Sequence, residues 1–299
     1  MKNRIFYTLI TFLCLFPALL QAQSSSLTMQ LENAIKGKKA EIGIAVILDG
    51  KDTITVNNNA RYPLMSVFKF HQALALADYM SQRNIPLDTR LHIKASDLKP
   101  NTYSPLRDKY PQGGIDLSIA ELLEYTLQQS DNNACDILFH YQGSPESANN
   151  YIHSLGVDSC SIAFTENDMH EDINRCYQNW STPLAAAQVL EIFLNQPLFG
   201  KTYKDFIYQT MTECKTGEDR LFAPLSGKNV IIGHKTGTGD KNAKGQLIAI
   251  NDIGFVILPN KHMYSIAVFV KNSEENPKVS TEIIANISQI VYEYVDGLQ

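Results

Sequence analysis

Ser66 and Lys69 stand three residues apart at the mouth of an apolar-patterned run that continues to Tyr79, which places a hydroxyl and an amine on one face of a helix. A serine at a helix N-terminus has unsatisfied backbone N–H groups and the positive dipole end beside it, and both favour developing negative charge. Its oxygen becomes a good nucleophile only when a base takes the proton, and a lysine whose pKa is lowered by desolvation or by a neighbouring cation can be that base. The pattern alone is weak. Ser96-Asp97-Leu98-Lys99 matches it equally well, but Pro100 biases Lys99 away from helix and the stretch has no apolar face, so it reads as a solvated loop.

Two further triplets agree with Ser66. Ser130-Asp131-Asn132 falls between two helical stretches, and Lys235-Thr236-Gly237 follows the apolar run Val230-Ile231-Ile232 at the end of a strand. A second copy, Lys215-Thr216-Gly217, lies in a polar stretch without strand pattern and reads as a turn. Ser-x-x-Lys, Ser-Asp-Asn and Lys-Thr-Gly together are the signature of class A β-lactamases and penicillin-binding proteins. On these residues the chain resembles the class A serine β-lactamases over nearly all of its mature length.

The resemblance implies a role for each matching position. Ser66 is the nucleophile, Lys69 its proton acceptor and Ser130 the relay that protonates the leaving ring nitrogen, while Lys235 supports Ser130 and the substrate carboxylate. Asn132 is expected to hydrogen-bond the acyl side chain, and Thr236, Gly237 and Thr238 to line the substrate. The oxyanion hole would be the backbone N–H groups of Ser66 and Thr238, an interaction whose removal costs about 2.7–4 kcal/mol in comparable sites. Glu166 is the discriminating residue. A glutamate there activates the water that cleaves the acyl-enzyme, and a positioned base adds roughly 10²–10⁴-fold. Whether Lys69 or Glu166 begins acylation stays open.

The implied activity is hydrolysis of cephalosporins and penicillins, conferring β-lactam resistance and needing neither cofactor nor metal. The alternatives are a D-alanyl-D-alanine peptidase or transpeptidase, which would lack the function of Glu166, and a non-hydrolytic β-lactam sensor, for which a membrane-spanning signalling segment is expected and not seen. The chain also departs from the usual pattern. Met169-His170 stand where the family has Leu-Asn, so His170 is expected to hydrogen-bond the water instead, and Phe164 and Asn179 replace the arginine–aspartate bridge at the loop neck. An altered loop with Thr238 beside the cleft looks like the branch active on cephalosporins, including bulky oxyimino ones. Arg220 matches an alternative arginine for the substrate carboxylate, with Lys244 a second candidate, and Tyr103 matches the aromatic wall of the cleft.

The elements that must position these residues follow from hydrophobic period and turn signals. A helix and a hairpin, Ile42–Leu48 with Thr53–Val56, open the chain. Helical spacing dominates Val67–Tyr79, Ile119–Leu127, Ala134–Tyr141, Pro183–Leu194 and Tyr203–Met211. Strand patterns return at Asn229–Gly233, Leu247–Leu258 and Met263–Val270, and Val279–Val295 is an amphipathic helix that packs on the sheet. The expected class is α+β, an α/β sandwich. Residues 23–60 and 213–299 would form an α/β domain with a five-stranded antiparallel sheet, residues 61–212 an inserted all-helical domain carrying the Glu166 loop, and the site would lie in the cleft between them.

With 299 residues, 44% hydrophobic and 19% charged, the chain is a folded globular protein. Met-Lys-Asn-Arg, the apolar run Ile5–Leu20 and Leu20-Gln21-Ala22 have the three-part form of a secretory signal, so residues 1–22 are expected to be removed and the protein secreted, most simply to the periplasm. The run falls short of the ~20 residues of a spanning helix. Losing Lys2 and Arg4 leaves 24 basic against 31 acidic residues, a net charge of −7, and no basic stripe appears. Nucleic acid and, after cleavage, membrane are therefore not expected partners, and a monomer acting on a small molecule is. Cys135, Cys160, Cys176 and Cys214 remain in the mature chain, paired or free, and no metal-binding spacing is present.

Overall fold

A computed structural model describes residues 26–298. A helix over residues 26–35 (α1) precedes strands β1 (Glu41–Leu48) and β2 (Asp52–Val56). β8 (Ile231–Thr238), β9 (Leu247–Ile257) and β10 (Met263–Ser273) return to the same sheet, and α10 (Pro277–Asp296) closes the chain. The sheet is antiparallel with order β2-β1-β10-β9-β8.

Alternation along the strands builds two cores, one per face. In β1, Ala45 and Ile47 face the helical segment, whereas Ile44, Val46 and Leu48 face α1 and α10. In β10, Ala267 and Phe269 join the first core, and Ile266, Val268 and Val270 the second, with Ile283, Ile284, Ile287 and Val291 of α10. The expected amphipathic C-terminal helix thus covers the outer face of the sheet.

Between β2 and β8 the helices are α2 (Phe68–Arg83), the short α3 (Pro105–Lys109), α4 (Ile119–Gln128), α5 (Asn132–Gln142), α6 (Pro145–Ser154), the short α7 (Glu166–Glu171), α8 (Pro183–Asn195) and α9 (Lys201–Thr212). Their starts are capped by side chains: Ser118 and Glu121 form a capping box on α4, Asp131 caps α5, and Thr182 followed by Pro183 starts α8. Asn84, at φ +52°, ends α2.

Two expectations change. The middle block is not purely helical: β3 (Tyr62–Pro63), β7 (Trp180–Ser181) and β6 (Cys160–Ser161) form a small sheet, and β4 (Arg90–Ile93) pairs with β5 (Ile115–Ser118). Strands this short leave too few residues for a period to show. β8 also runs further than Asn229–Gly233, because the polar residues His234, Lys235 and Thr236 pair with Gly254, Ile253 and Asp252 of β9, respectively, and are buried there. The expected signal segment, residues 1–22, lies outside the described residues. Among the described residues no helix is long and apolar enough to cross a membrane.

Candidate active site

Ser66 sits in a 3-10 turn (Met65–Val67) that runs directly into α2. Met65 has φ +47°, a left-handed conformation that an L side chain adopts only at a cost, and it turns the serine into the cleft. The turn is pressed against β8. A Cβ on Gly237 would lie 2.6 Å from the carbonyl oxygen of Leu64 and 3.1 Å from Cβ of Met65, so only glycine permits this approach.

One helical turn on, Lys69 is fully buried and its Nζ donates to Ser66 Oγ at 3.0 Å, the Ser130 carbonyl at 2.7 Å and Asn132 Oδ1 at 2.6 Å. The same Nζ lies 2.9 Å from Oε1 of Glu166. Glu166 opens α7 (Glu166–Glu171), is 7% exposed, and accepts the Ser66 hydroxyl at 3.1 Å. Hydroxyl, amine and carboxylate are therefore in mutual contact.

Ser130 joins α4 to α5 with φ +59°, and its Oγ accepts from Lys235 Nζ at 2.9 Å. Lys235 is fully buried, and burial, reinforced by the positive charge of Lys69, pushes its pKa down to about 7. Asp131 beneath it is buried and binds Ser104 Oγ, Leu106 N and Ala134 N, which fixes the segment that presents Tyr103 at the rim. Asn132 Nδ2 donates to Thr102 Oγ1 at 2.7 Å.

At the end of β8, Arg220 donates to the carbonyls of Gly237 and Asn251 at 2.9 and 2.7 Å and to Thr238 Oγ1 at 2.6 Å. Its Nε makes no hydrogen bond and lies 3.9 Å from Asp219, and the residue lines the cleft, whereas Lys244 lies on the exposed turn before β9. The cleft has a volume of about 790 Å³. Ser66, Tyr103, Ser130, Asn132, Glu166, His170, Arg220, Thr236 and Thr238 all line it. No group of three or more His, Cys, Asp or Glu suited to a metal occurs among the described residues.

Residues 26–295 match the Beta-lactamase enzyme family. The chain belongs to that β-lactamase family. It is 44% identical to a β-lactamase of Bacteroides uniformis over 98% of this chain and 99% of the relative. The crystal structure of a class A β-lactamase from Bacteroides cellulosilyticus superposes with a TM-score of 0.89 at 46% identity, covering 92% and 99% of the two chains. The TLA-1 extended-spectrum β-lactamase does so with 0.88 at 43%, covering 91% and 98%. This chain is thus a class A serine β-lactamase.

The β-lactamase closes the neck of its Glu166 loop without an ion pair. The buried Asn179 accepts from Ala163 N at 2.8 Å and Phe164 N at 3.0 Å, and donates to the Phe164 carbonyl at 2.8 Å. Arg175 staples the loop from outside, lying 5.3 Å from the Phe164 ring centre and 3.6 Å from Asp168. His170 is exposed at the rim while Met169 packs inward.

Two features escaped sequence reasoning. Asp136 of α5 accepts the backbone N–H of both Glu166 and Asn167 at 2.9 Å and so fixes the start of α7; burial and the Glu166 charge push its pKa up to about 7. No motif marks it, since a carboxylate on a mostly polar helix face reads as solvated. The second is Thr216 of the set-aside triplet. It does lie in a turn, but its hydroxyl meets that of Thr236 at 2.8 Å and lines the cleft. The Ser96–Lys99 decoy lies at a short 3-10 turn (Ala95–Asp97), with Ser96 and Lys99 exposed and Leu98 buried.

Proposed function

We propose that the protein opens the ring of cephalosporins and penicillins through an ester on Ser66, with Glu166 as the proton acceptor in both halves of the reaction. The observation that carries this reading is the direct contact of Ser66 Oγ–H with a buried Glu166 carboxylate at 3.1 Å. As Oγ attacks the lactam carbonyl its proton passes to that carboxylate, while Lys69 holds the oxygen and balances the charge. The carbon–nitrogen bond breaks as the ring nitrogen takes a proton from Ser130, which Lys235 replaces, its lowered pKa favouring the transfer. The proton on Glu166 returns by way of Lys69, which touches both Glu166 and Ser130, to make good the one spent by Lys235, and the restored carboxylate, with no ester hydroxyl left to accept, turns to a water and directs it at the ester.

Substrate contacts follow from free valences. An acyl amide engages Asn132 Nδ2 in place of Thr102, and the substrate carboxylate is met by Thr236, Thr238 and the end of Arg220. The backbone N–H groups of Ser66 and Thr238 receive the oxyanion. Tyr103 and His170 form the rim. The kinship with TLA-1, together with the altered loop neck, supports activity on extended-spectrum cephalosporins.

Residues 23–60 with 213–299 are taken as the α/β domain and 61–212 as the inserted one, a division supported by the two cores. Residues 1–22 direct export to the periplasm and are removed there, and the mature chain works as a monomer without nucleic acid or membrane. Mature protein and Glu166→Ala are incubated with a chromogenic cephalosporin, following turnover and intact mass. Turnover is expected in the first. In the second it falls roughly 10²–10⁴-fold and a lasting adduct forms on Ser66. A long-lived adduct on the unaltered protein would overturn the reading.

A further inference from the structure

Behind the substrate-carboxylate end of the cleft lies a second constellation that the lactam chemistry does not use. Cys214, on the turn after α9, is half-buried, and its Sγ lies 3.5 Å from both the carbonyl and the hydroxyl oxygen of Thr216. His234 of β8 is 4% exposed and hydrogen-bonds the thiol. Its Nδ1 is held by the fully buried Asp252 of β9, at 3.1 and 3.0 Å from the two carboxylate oxygens. Phe222 stacks on the imidazole at 14° between planes. A carboxylate orients an imidazole, and the imidazole faces a thiol, which is the arrangement that makes cysteine nucleophilic.

We propose that Cys214 is a reactive thiol site that takes small soft electrophiles, thiosulfonates and disulfides above all, and that its modification disables the substrate-carboxylate end of the cleft. The charged groups facing the sulfur are His234 and Lys235 from β8, with Arg220 and Asp252 nearby. Burial raises the thiol's pKa, but the positive charge and hydrogen bond of His234 outweigh it and bring it below the usual value. Burial lowers the His234 pKa, and Asp252 and the sulfur together raise it above normal. The other three described cysteines are buried, and burial pushes their thiols upward, so they stay protonated.

With methyl methanethiosulfonate, the Cys214 thiolate attacks the divalent sulfur. A Cys–S–S–CH3 bond forms, the sulfur–sulfonyl bond breaks with its electron pair, and methanesulfinate leaves; His234 keeps the thiol proton. The adduct removes a negative charge that holds up the pKa values of Lys235 and Arg220. It also places a methylthio group against Thr216, whose hydroxyl is bonded to Thr236 at 2.8 Å. Displacing substrate-contacting groups by about 1 Å can cost ~10²-fold in rate.

The effect on turnover rests on the hydrolase reading; the labelling does not. Turnover of a chromogenic cephalosporin by the folded protein is therefore measured first, which tests the hydrolase reading separately. Reagent is then added, and intact mass and peptide mapping are read beside activity. Expected are one methylthio group, on Cys214, formed at least about 10-fold faster than on the unfolded chain at pH 6, a fall in turnover of about 10-fold or more, and recovery with dithiothreitol. Cys214→Ser should take up no label and be unaffected by the reagent. Labelling of another cysteine first, no labelling of the folded protein, labelling no faster than in the unfolded chain, or a labelled protein with undiminished turnover would each overturn the proposal.

Discussion

Asp136 carries no motif, yet it fixes the residue proposed as general base. Its two oxygens hold the backbone of Glu166 and Asn167 at 2.9 Å each, so the carboxylate of Glu166 is aimed by its own main chain. Asp136→Ala should leave both N–H groups without an acceptor and slow release of the acyl-enzyme about 10-fold or more, seen as a longer-lived adduct by mass and a lower kcat. Asp136→Asn retains one acceptor and should fall between. Burial and the Glu166 charge hold the pKa of Asp136 at about 7, above the ordinary carboxylate range, so its contribution to stability is fully present below about pH 4 and lost as pH rises through about 7. Urea unfolding should accordingly show the wild type losing stability relative to Asp136→Asn over that interval. Ser66, Lys69, Ser130 and Lys235 were legible because each sits in a motif beside an apolar run. Asp136 and Thr216 were not, because what makes them functional is a partner 30 and 20 residues away in sequence.

At the scale of elements, the neck of the Glu166 loop depends on one amide. Asn179→Ala should strand the N–H groups of Ala163 and Phe164, each unmade bond costing about 1–3 kcal/mol. The loop should then open to a protease between residues 164 and 178, and thermal unfolding should begin at lower temperature. If the cleavage pattern is unchanged, the neck is held by Arg175 and Phe164 instead. Long helices and the central strands could be read from period alone. α7 could not, because six residues, Glu166–Glu171, make too short a pattern and their polar types suggest a loop; what winds them is the capping box of Thr165 and Asp168. The reach of β8 was hidden for the opposite reason, since burial of His234, Lys235 and Thr236 is decided by partners on β9 and not by their own polarity.

Taken whole, the molecule is held by two apolar cores on opposite faces of one sheet, and its four described cysteines are free. Added reductant should leave the melting temperature unchanged, and a drop would reveal a crosslink. The seam between sheet and helices is tight at Gly237. Gly237→Ala must push the Ser66 turn away from β8, because the new methyl would meet a carbonyl oxygen at 2.6 Å. Turnover should fall about 10²-fold while substrate-independent folding, followed by circular dichroism, survives. That bare α-carbon has a longer reach. The floor of the cleft is clamped at one width, so a bulkier drug finds accommodation only along the lip, where Tyr103, His170 and Thr238 are exposed. Tolerance for new antibiotics can therefore drift at the edge, mutation by mutation, while the reacting groups beneath stay where they are.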